Sequence, residues 1–439
     1  MKYLPQIQAA SQDPQQLEEL YHAARQEDLA AEFTQDLFAC YQAAPEEVLY
    51  AAWYYRLQNV PAERPAQPSR GALWGLAVPF AFLTGLVLGL LAALVKGQFL
   101  SHIPYVVLFW APIAASFAIL FLAAAAKKHY RRAILGIGLL IIASLYVLFI
   151  APTMKAWLHN PYLDQMAIHL PLLAWIALGI SLLWLRSLSK DRFAFLIKSI
   201  ETAITAGLYL IAGMAFGTIT IGMLQALSIK IPDQWLAFLI AGGFGLIPII
   251  AIASIYDPRL PPSEQDFEQG LSKFISRMMR LFLPLTLVVL VIYIVIIPFN
   301  FLEPFQNRDV LIVYNIMLFA VMGLLLGSIP VLSGDLSPRM KSILRYGILA
   351  VAWLAILVSL YALTAILYRT ITDSLTMNRL IIIGWNVINI AILGFLAYRV
   401  TRGGKDGWVE PAQAVFSLAT NAYLVWTIFV IFAIPWLFR

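Results

Sequence analysis

The chain has 439 residues, 61% of them hydrophobic and only 12% charged, with a formal net charge of +6. A soluble domain carries about twice that charged fraction, so an ordinary water-soluble globule is excluded. The single cysteine, Cys40, excludes an intrachain disulfide and a cysteine-ligated iron–sulfur cluster within one chain.

The first seventy residues differ from the rest, with ten acidic residues against five basic ones. Asp13-Pro14 predicts a helix start, with proline in the first turn. Leu17, Leu20, Tyr21 and Ala24 then follow helical spacing, and Leu29, Phe33, Leu37, Cys40 and Tyr41 make a second stripe. A third helix, opened by Pro45-Glu46-Glu47, offers Val48, Leu49, Ala52, Trp53 and Tyr55. Residues 1–60 therefore read as a cytosolic three-helix head, either a cap on the membrane domain or a docking site for a protein partner. Pro61, Pro65 and Pro68 make 61–72 a stiff linker. The head is too polar to contain a cleavable signal peptide.

From 73 to 439 the chain predicts eleven membrane helices, at 73–95, 104–126, 133–151, 166–188, 202–226, 234–256, 281–301, 310–332, 342–368, 378–400 and 412–437. Each is long enough to cross a hydrocarbon layer of roughly 30 Å, and no strand alternation suggests a barrel. The expected fold is all-α and polytopic.

Charge sets the orientation. Alternate connectors hold Lys127, Lys128, Arg131 and Arg132, then Arg186, Lys190, Arg192 and Lys198, then Arg259, Lys273, Arg277 and Arg280. The series ends with Arg339, Lys341 and Arg345, and with Arg399, Arg402 and Lys405. The remaining connectors and the C-terminus carry only Lys96, Lys155, Lys230, Arg308, Arg369, Arg379 and Arg439. The positive-inside rule then places the N-terminus in the cytoplasm and the C-terminus outside. The positive charge reports orientation, so no nucleic-acid partner is expected. Membrane lipids are the expected surroundings, and the sequence leaves the oligomeric state open.

Gly85/Gly89, Gly213/Gly217 and Gly323/Gly327 sit one turn apart and favour close helix packing. Gly242, Gly243, Gly245 and Pro248 interrupt the middle of the sixth span, either as a proline kink with glycine packing, the commoner case, or as a broken helix that frees backbone groups to bind an ion or solute. The polar side chains in the spans are Asn315, Asn386, Asn389 and Asn421, with Thr205, Thr218, Thr220 and Thr364. Asn386 and Asn389 share a helical face, and with Asn315 and Asn421 they are expected to form a polar seam, as structural glue between helices in the first place and otherwise as the lining of a solute path. No Asp, Glu, Lys or Arg falls near the middle of a span, which disfavours proton-coupled transport. After the sixth span, Ser263-Glu264-Gln265-Asp266 resembles a capping box. Phe267, Leu271, Phe274, Ile275 and Met278 opposite Lys273, Arg277 and Arg280 then suggest a separate helix in the inner headgroup layer.

His102, His159 and His169 share the outer side without ligand-type spacing, so no metal or cofactor is assigned. The chain lacks a Gly-x-Ser-x-Gly elbow, a His-Glu-x-x-His pair, a Walker lysine loop and a dinucleotide fingerprint. No acidic residue stands in the first outer loop, where a polyprenyl-phosphate glycosyltransferase would need one. No catalytic residue is proposed, and enzyme activity is disfavoured.

Arg280-Leu281-Phe282-Leu283-Pro284-Leu285, the span containing Tyr293, and Tyr314-Asn315-Ile316-Met317-Leu318 resemble a group of bacterial polytopic proteins known as domain-of-unknown-function family 4153. The resemblance covers much of 73–400 through apolar motifs and leaves out the acidic head. It implies a multi-pass protein of the bacterial inner membrane and transfers no site residues. Two functional expectations follow. The first is a non-catalytic accessory or scaffold subunit of a membrane complex, and the alternative is a permease for a neutral or amphipathic solute.

Overall fold

A computed structural model describes residues 3–26, 29–59, 71–94, 99–100, 103–184, 187–267, 270–331, 336–405 and 407–438. The chain separates into two units, Met1–Arg70 and Gly71–Arg439. Residues 61–70 of the expected linker lie outside the described residues.

Among its described residues the head contains four helices: α1 (Leu4–Ala9), α2 (Pro14–Gln26), α3 (Ala30–Ala43) and α4 (Val48–Asn59). The additional helix, α1, is too short to show a period, and tertiary bonds hold it. Tyr3 donates its backbone N–H to Asp36 Oδ2 at 2.9 Å, and Tyr50 Oη donates to the Ile7 carbonyl at 3.2 Å. Ile7, Leu17, Phe33, Leu37 and Trp53 meet in one core. The stripe expected on α4 is corrected. Val48 is 81% exposed and Tyr55 is also exposed, whereas Tyr50 and Trp53 point inward. Arg56 lies 4.3 Å from the Trp53 ring centre and pairs with Glu18, which links α4 to α2.

Among the described residues of the second unit, eleven helices are long and apolar enough to cross a membrane. In chain order they begin with α5 (Gly71–Leu94), α6 (Tyr105–Ala126), α7 (Tyr130–Ile150), α8 (Ala156–Leu183), α9 (Ser189–Ala226) and α10 (Asp233–Ile255). A two-residue ladder of β1 (Phe99–Leu100) and β2 (Ile103–Pro104) precedes α6. The rest are α11 (Gly270–Ile296), the short α12 (Glu303–Gln306), α13 (Arg308–Ser328), α14 (Pro338–Thr372), α15 (Met377–Arg402) and α16 (Val409–Ile428), which continues into α17 (Ile434–Leu437). The protein is thus an all-α, multi-pass membrane protein.

Connectors assigned to one side by charge meet in the fold. Lys128 Nζ donates to the Arg259 carbonyl at 3.4 Å, the Ser263 backbone N–H to Asp191 Oδ1 at 3.3 Å, and Arg345 to the Val400 and Thr401 carbonyls. We call this the basic end. Tyr146, Gln165, Asn378 and Trp436 mark the opposite end.

Helix α9 has 38 residues, a length of about 57 Å at 1.5 Å per residue, nearly twice a hydrocarbon layer. Its buried residues all fall between Phe193 and Thr205, in the part near the basic end. The span therefore begins well before the expected residue 202.

Three further expectations are corrected. Helix α10 is continuous through Gly242, Gly243, Gly245 and Pro248, so the sixth span is not broken. Its glycines pack instead. A Cβ on Gly245 would meet Gly85 Cα at 2.9 Å, and one on Gly85 would meet the Gly242 carbonyl oxygen at 2.6 Å. Backbone contact between α5 and α10 takes the place of a binding break. Gly243, Gly213 and Gly217 have nothing within 4 Å of such a Cβ, so the pair on α9 makes no glycine contact.

The separate headgroup-layer helix is absent, because Gly270 already begins the long seventh span. Ahead of it, Pro262–Glu264 form a 3-10 turn with no side-chain cap. Gln265 Nε2 donates to the carbonyls of Asp257 and Leu260 at 2.8 and 3.2 Å, which folds the connector back on itself and replaces the capping box.

Between α16 and α17, Phe429–Ala433 form a π-helical turn. Tyr162 Oη donates to the Ile431 carbonyl at 3.1 Å and Tyr146 Oη to the Phe432 carbonyl at 2.9 Å. Carbonyls displaced from regular bonding are thereby satisfied by two tyrosines from α8 and α7.

Candidate functional site

Near its middle, α15 acts as a hub. Residues 385, 386 and 389 lie within slightly more than one turn, yet they reach three different helices. Asn386 Nδ2 donates to Asn315 Oδ1 on α13 at 2.7 Å and to its own Ile382 carbonyl at 2.9 Å. Asn389 Oδ1 accepts from Tyr423 Oη on α16 at 2.8 Å. Trp385 Nε1 donates to His169 Nε2 on α8 at 3.2 Å. The Trp385 ring centre lies 5.3 Å from that of Tyr423 and 5.5 Å from that of Phe319.

Of the four asparagines expected to make a polar seam, Asn386 and Asn315 bond each other and Asn389 bonds Tyr423. Asn421 lies apart: its Oδ1 accepts from Arg192 Nη1 at 3.1 Å, toward the basic end. Tyr423 takes the place expected for Asn421, because two residues along a helix turn the side chain through about 200°. His169 and Trp385 are the members that sequence reasoning missed. His169 sits inside α8 because that helix starts ten residues before the expected span. A pairing of an indole with an imidazole between distant spans leaves no local spacing signal.

The imidazole is held on both sides. His169 Nδ1 lies 2.8 Å from the Gln165 carbonyl, which can only accept, so Nδ1 carries the proton. Nε2 then receives the Trp385 indole N–H, which occupies the lone pair that a metal would use. Among the described residues no cluster of three metal-ligating side chains occurs.

Two seam atoms have no hydrogen-bond partner, Asn386 Oδ1 and Asn389 Nδ2, although both residues are at least 99% buried. One is an acceptor and the other a donor, a turn apart on one helix face. Buried unpaired polar atoms are costly. The spans' other polar groups are mostly self-satisfied. Thr205, Thr220 and Thr364, for example, each bond the carbonyl four residues back.

A cavity of about 620 Å³ opens at the end opposite the basic connectors. Gln165, Asn378, Arg369 and Arg379 stand on its walls, and Leu311 and Ile382 also line it. Leu311 is one turn from Asn315, and Ile382 is one turn from Asn386. One apolar turn thus separates the cavity from the paired asparagines.

A second polar cluster lies at the basic end. Lys198 and Glu201, only 3% and 2% exposed, are 2.6 Å apart, and Ser272 Oγ donates to Glu201 Oε2 at 2.7 Å. Lys198 Nζ also donates to the Asp266 carbonyl and lies 4.5 Å from the Phe267 ring centre. This cluster ties α9 to α11. No family model, curated protein or solved structure matches the chain. Fold and seam together define a polytopic helical membrane protein with a neutral polar site near its middle.

Proposed function

We propose that the protein is a permease for a small neutral or amphipathic solute, oriented with its basic end in the cytoplasm. The observation that carries this reading is the pair of unpartnered amide atoms, Asn386 Oδ1 and Asn389 Nδ2, about one and two turns along α15 from Ile382 in the wall of the outer cavity. A donor and an acceptor without formal charge suit a solute that itself carries both, such as an amide or a polyol. The site is made from α8, α13, α15 and α16, at the meeting of several spans, where transporters commonly bind their cargo. Placement in a bacterial inner membrane rests on the resemblance to family 4153.

Proteoliposomes challenged with glycerol, urea and small amides test the reading by stopped-flow light scattering. Faster solute entry than in protein-free vesicles supports it, provided that N386L/N389L abolishes the acceleration. Unchanged flux in that variant removes this route.

An accessory-subunit role is the second reading, favoured by the head, which has its own core and an excess of acidic residues. Deleting residues 1–60 should release a co-purifying partner if the head docks one. A partner that stays bound would rule the head out as the docking site.

A further inference from the structure

We propose that a groove between α11 and α14 at the basic end binds an anionic phospholipid. The headgroup phosphate would lie against Lys273 and Arg277, with the acyl chains along the apolar wall beyond. The groove has a volume of about 1010 Å³, at the upper end of the roughly 300–1,000 Å³ typical of ligand sites.

Residues 273, 277, 280, 284 and 287 follow helical spacing, so they form one stripe along α11. All five line the groove. The three cations occupy about 10 Å of helix axis, at 1.5 Å per residue. Pro284 and Leu287 continue the stripe as hydrocarbon. On the other wall α14 contributes Ile343, Tyr346 and Gly347. A Cβ on Gly347 would meet Leu283 Cδ2 at 2.8 Å, so the two helices touch there.

Two observations select an amphiphile over a soluble anion. The cationic stretch gives way within one turn to exposed hydrocarbon, with Leu281 70% and Ile343 60% exposed. A free anion would satisfy the cations and leave that wall bare, whereas a phospholipid covers both. Tyr346, also exposed, adds an amphipathic ring of the kind favoured at the membrane–water boundary.

The charge balance selects an anionic lipid. Among the described residues no acidic side chain lines the groove. Basic pockets between membrane helices at the cytoplasmic surface are suited to phosphate headgroups, which guanidinium groups can grip through paired N–H bonds. The groove is separate from the asparagine seam, since neither α11 nor α14 carries any seam residue.

Native mass spectrometry of the full chain, taken from micelles with equal phosphatidylglycerol and phosphatidylcholine, tests the proposal. The expected result is retention of phosphatidylglycerol over phosphatidylcholine by about tenfold, lost in K273Q/R277Q and kept in the control K127Q/R131Q. The variant I343W obstructs the apolar wall with every cation in place, and it should also lower retention. If K273Q/R277Q does not give monodisperse protein, I343W decides by the same measurement. Equal retention of the two lipids by the unmodified chain would overturn the proposal, as would undiminished retention in the groove variants. Full displacement of the lipid by excess inorganic phosphate would also overturn it, because the site would then belong to a soluble anion.

Discussion

Asn386 donates its side-chain amide to Asn315 Oδ1 across 2.7 Å, joining the tenth membrane helix to the eighth. Its neighbours Trp385 and Asn389 reach the fourth and eleventh spans in the same way. The expected cost of breaking one such bond is modest, about 0.6–2 kcal/mol, because the freed group finds other partners in the membrane. N386L and N315L should each lower stability in detergent by about that amount. The double variant should cost less than their sum, a coupling that a double-mutant cycle by thermal unfolding would read.

The glycines of the sixth span should separate sharply under substitution. G245L drives a side chain into the backbone of α5 and should lower the yield of folded, monodisperse protein. G243L, on the same helix, meets open space and should behave like the parent. Size-exclusion chromatography of the two variants side by side checks this.

Removing Lys198 strands a carboxylate that is 98% buried. K198M should destabilise the chain by about 3–5 kcal/mol, the usual cost of an uncompensated buried charge. Replacing the pair, as K198M/E201M, should recover most of that loss. Thermal unfolding of both variants in detergent provides the measurement.

In the head, the hydrogen bond from Arg56 holds the Glu18 carboxyl below its ordinary pKa, while partial burial opposes the shift. A lowered folded-state value stabilises the head above the unfolded-state pKa, and that contribution is lost as pH falls through the folded-state value. Amides of α2 and α4 should therefore lose protection in acid. Hydrogen exchange of the full chain beside E18Q, at each pH, isolates the effect, since the variant should lack that part of the pH dependence. The pair is partly exposed, so the difference should be small.

Much of the membrane architecture was legible because each span declares itself through length and hydropathy. The pairing of Asn386 with Asn389 on one face was legible from their spacing. The choice of Tyr423 over Asn421 was not, because the rotation of α16 is set by packing against its neighbours. Glycine and proline in the sixth span were visible as a signal with two physical outcomes, and close contact with Gly85 decided for packing. Lys198 and Glu201 have the i,i+3 spacing of an ion pair, but a helix extending past the expected span buried them inside the protein. His169 and Trp385, more than two hundred residues apart, meet only through tertiary structure.

The most direct test of the permease reading is gentle native purification from the source membrane, with mass spectrometry of whatever co-purifies. A permease should carry a bound neutral small molecule that is absent from N386L/N389L prepared in the same way. A stoichiometric protein partner with no small molecule would contradict that reading and favour the accessory-subunit role.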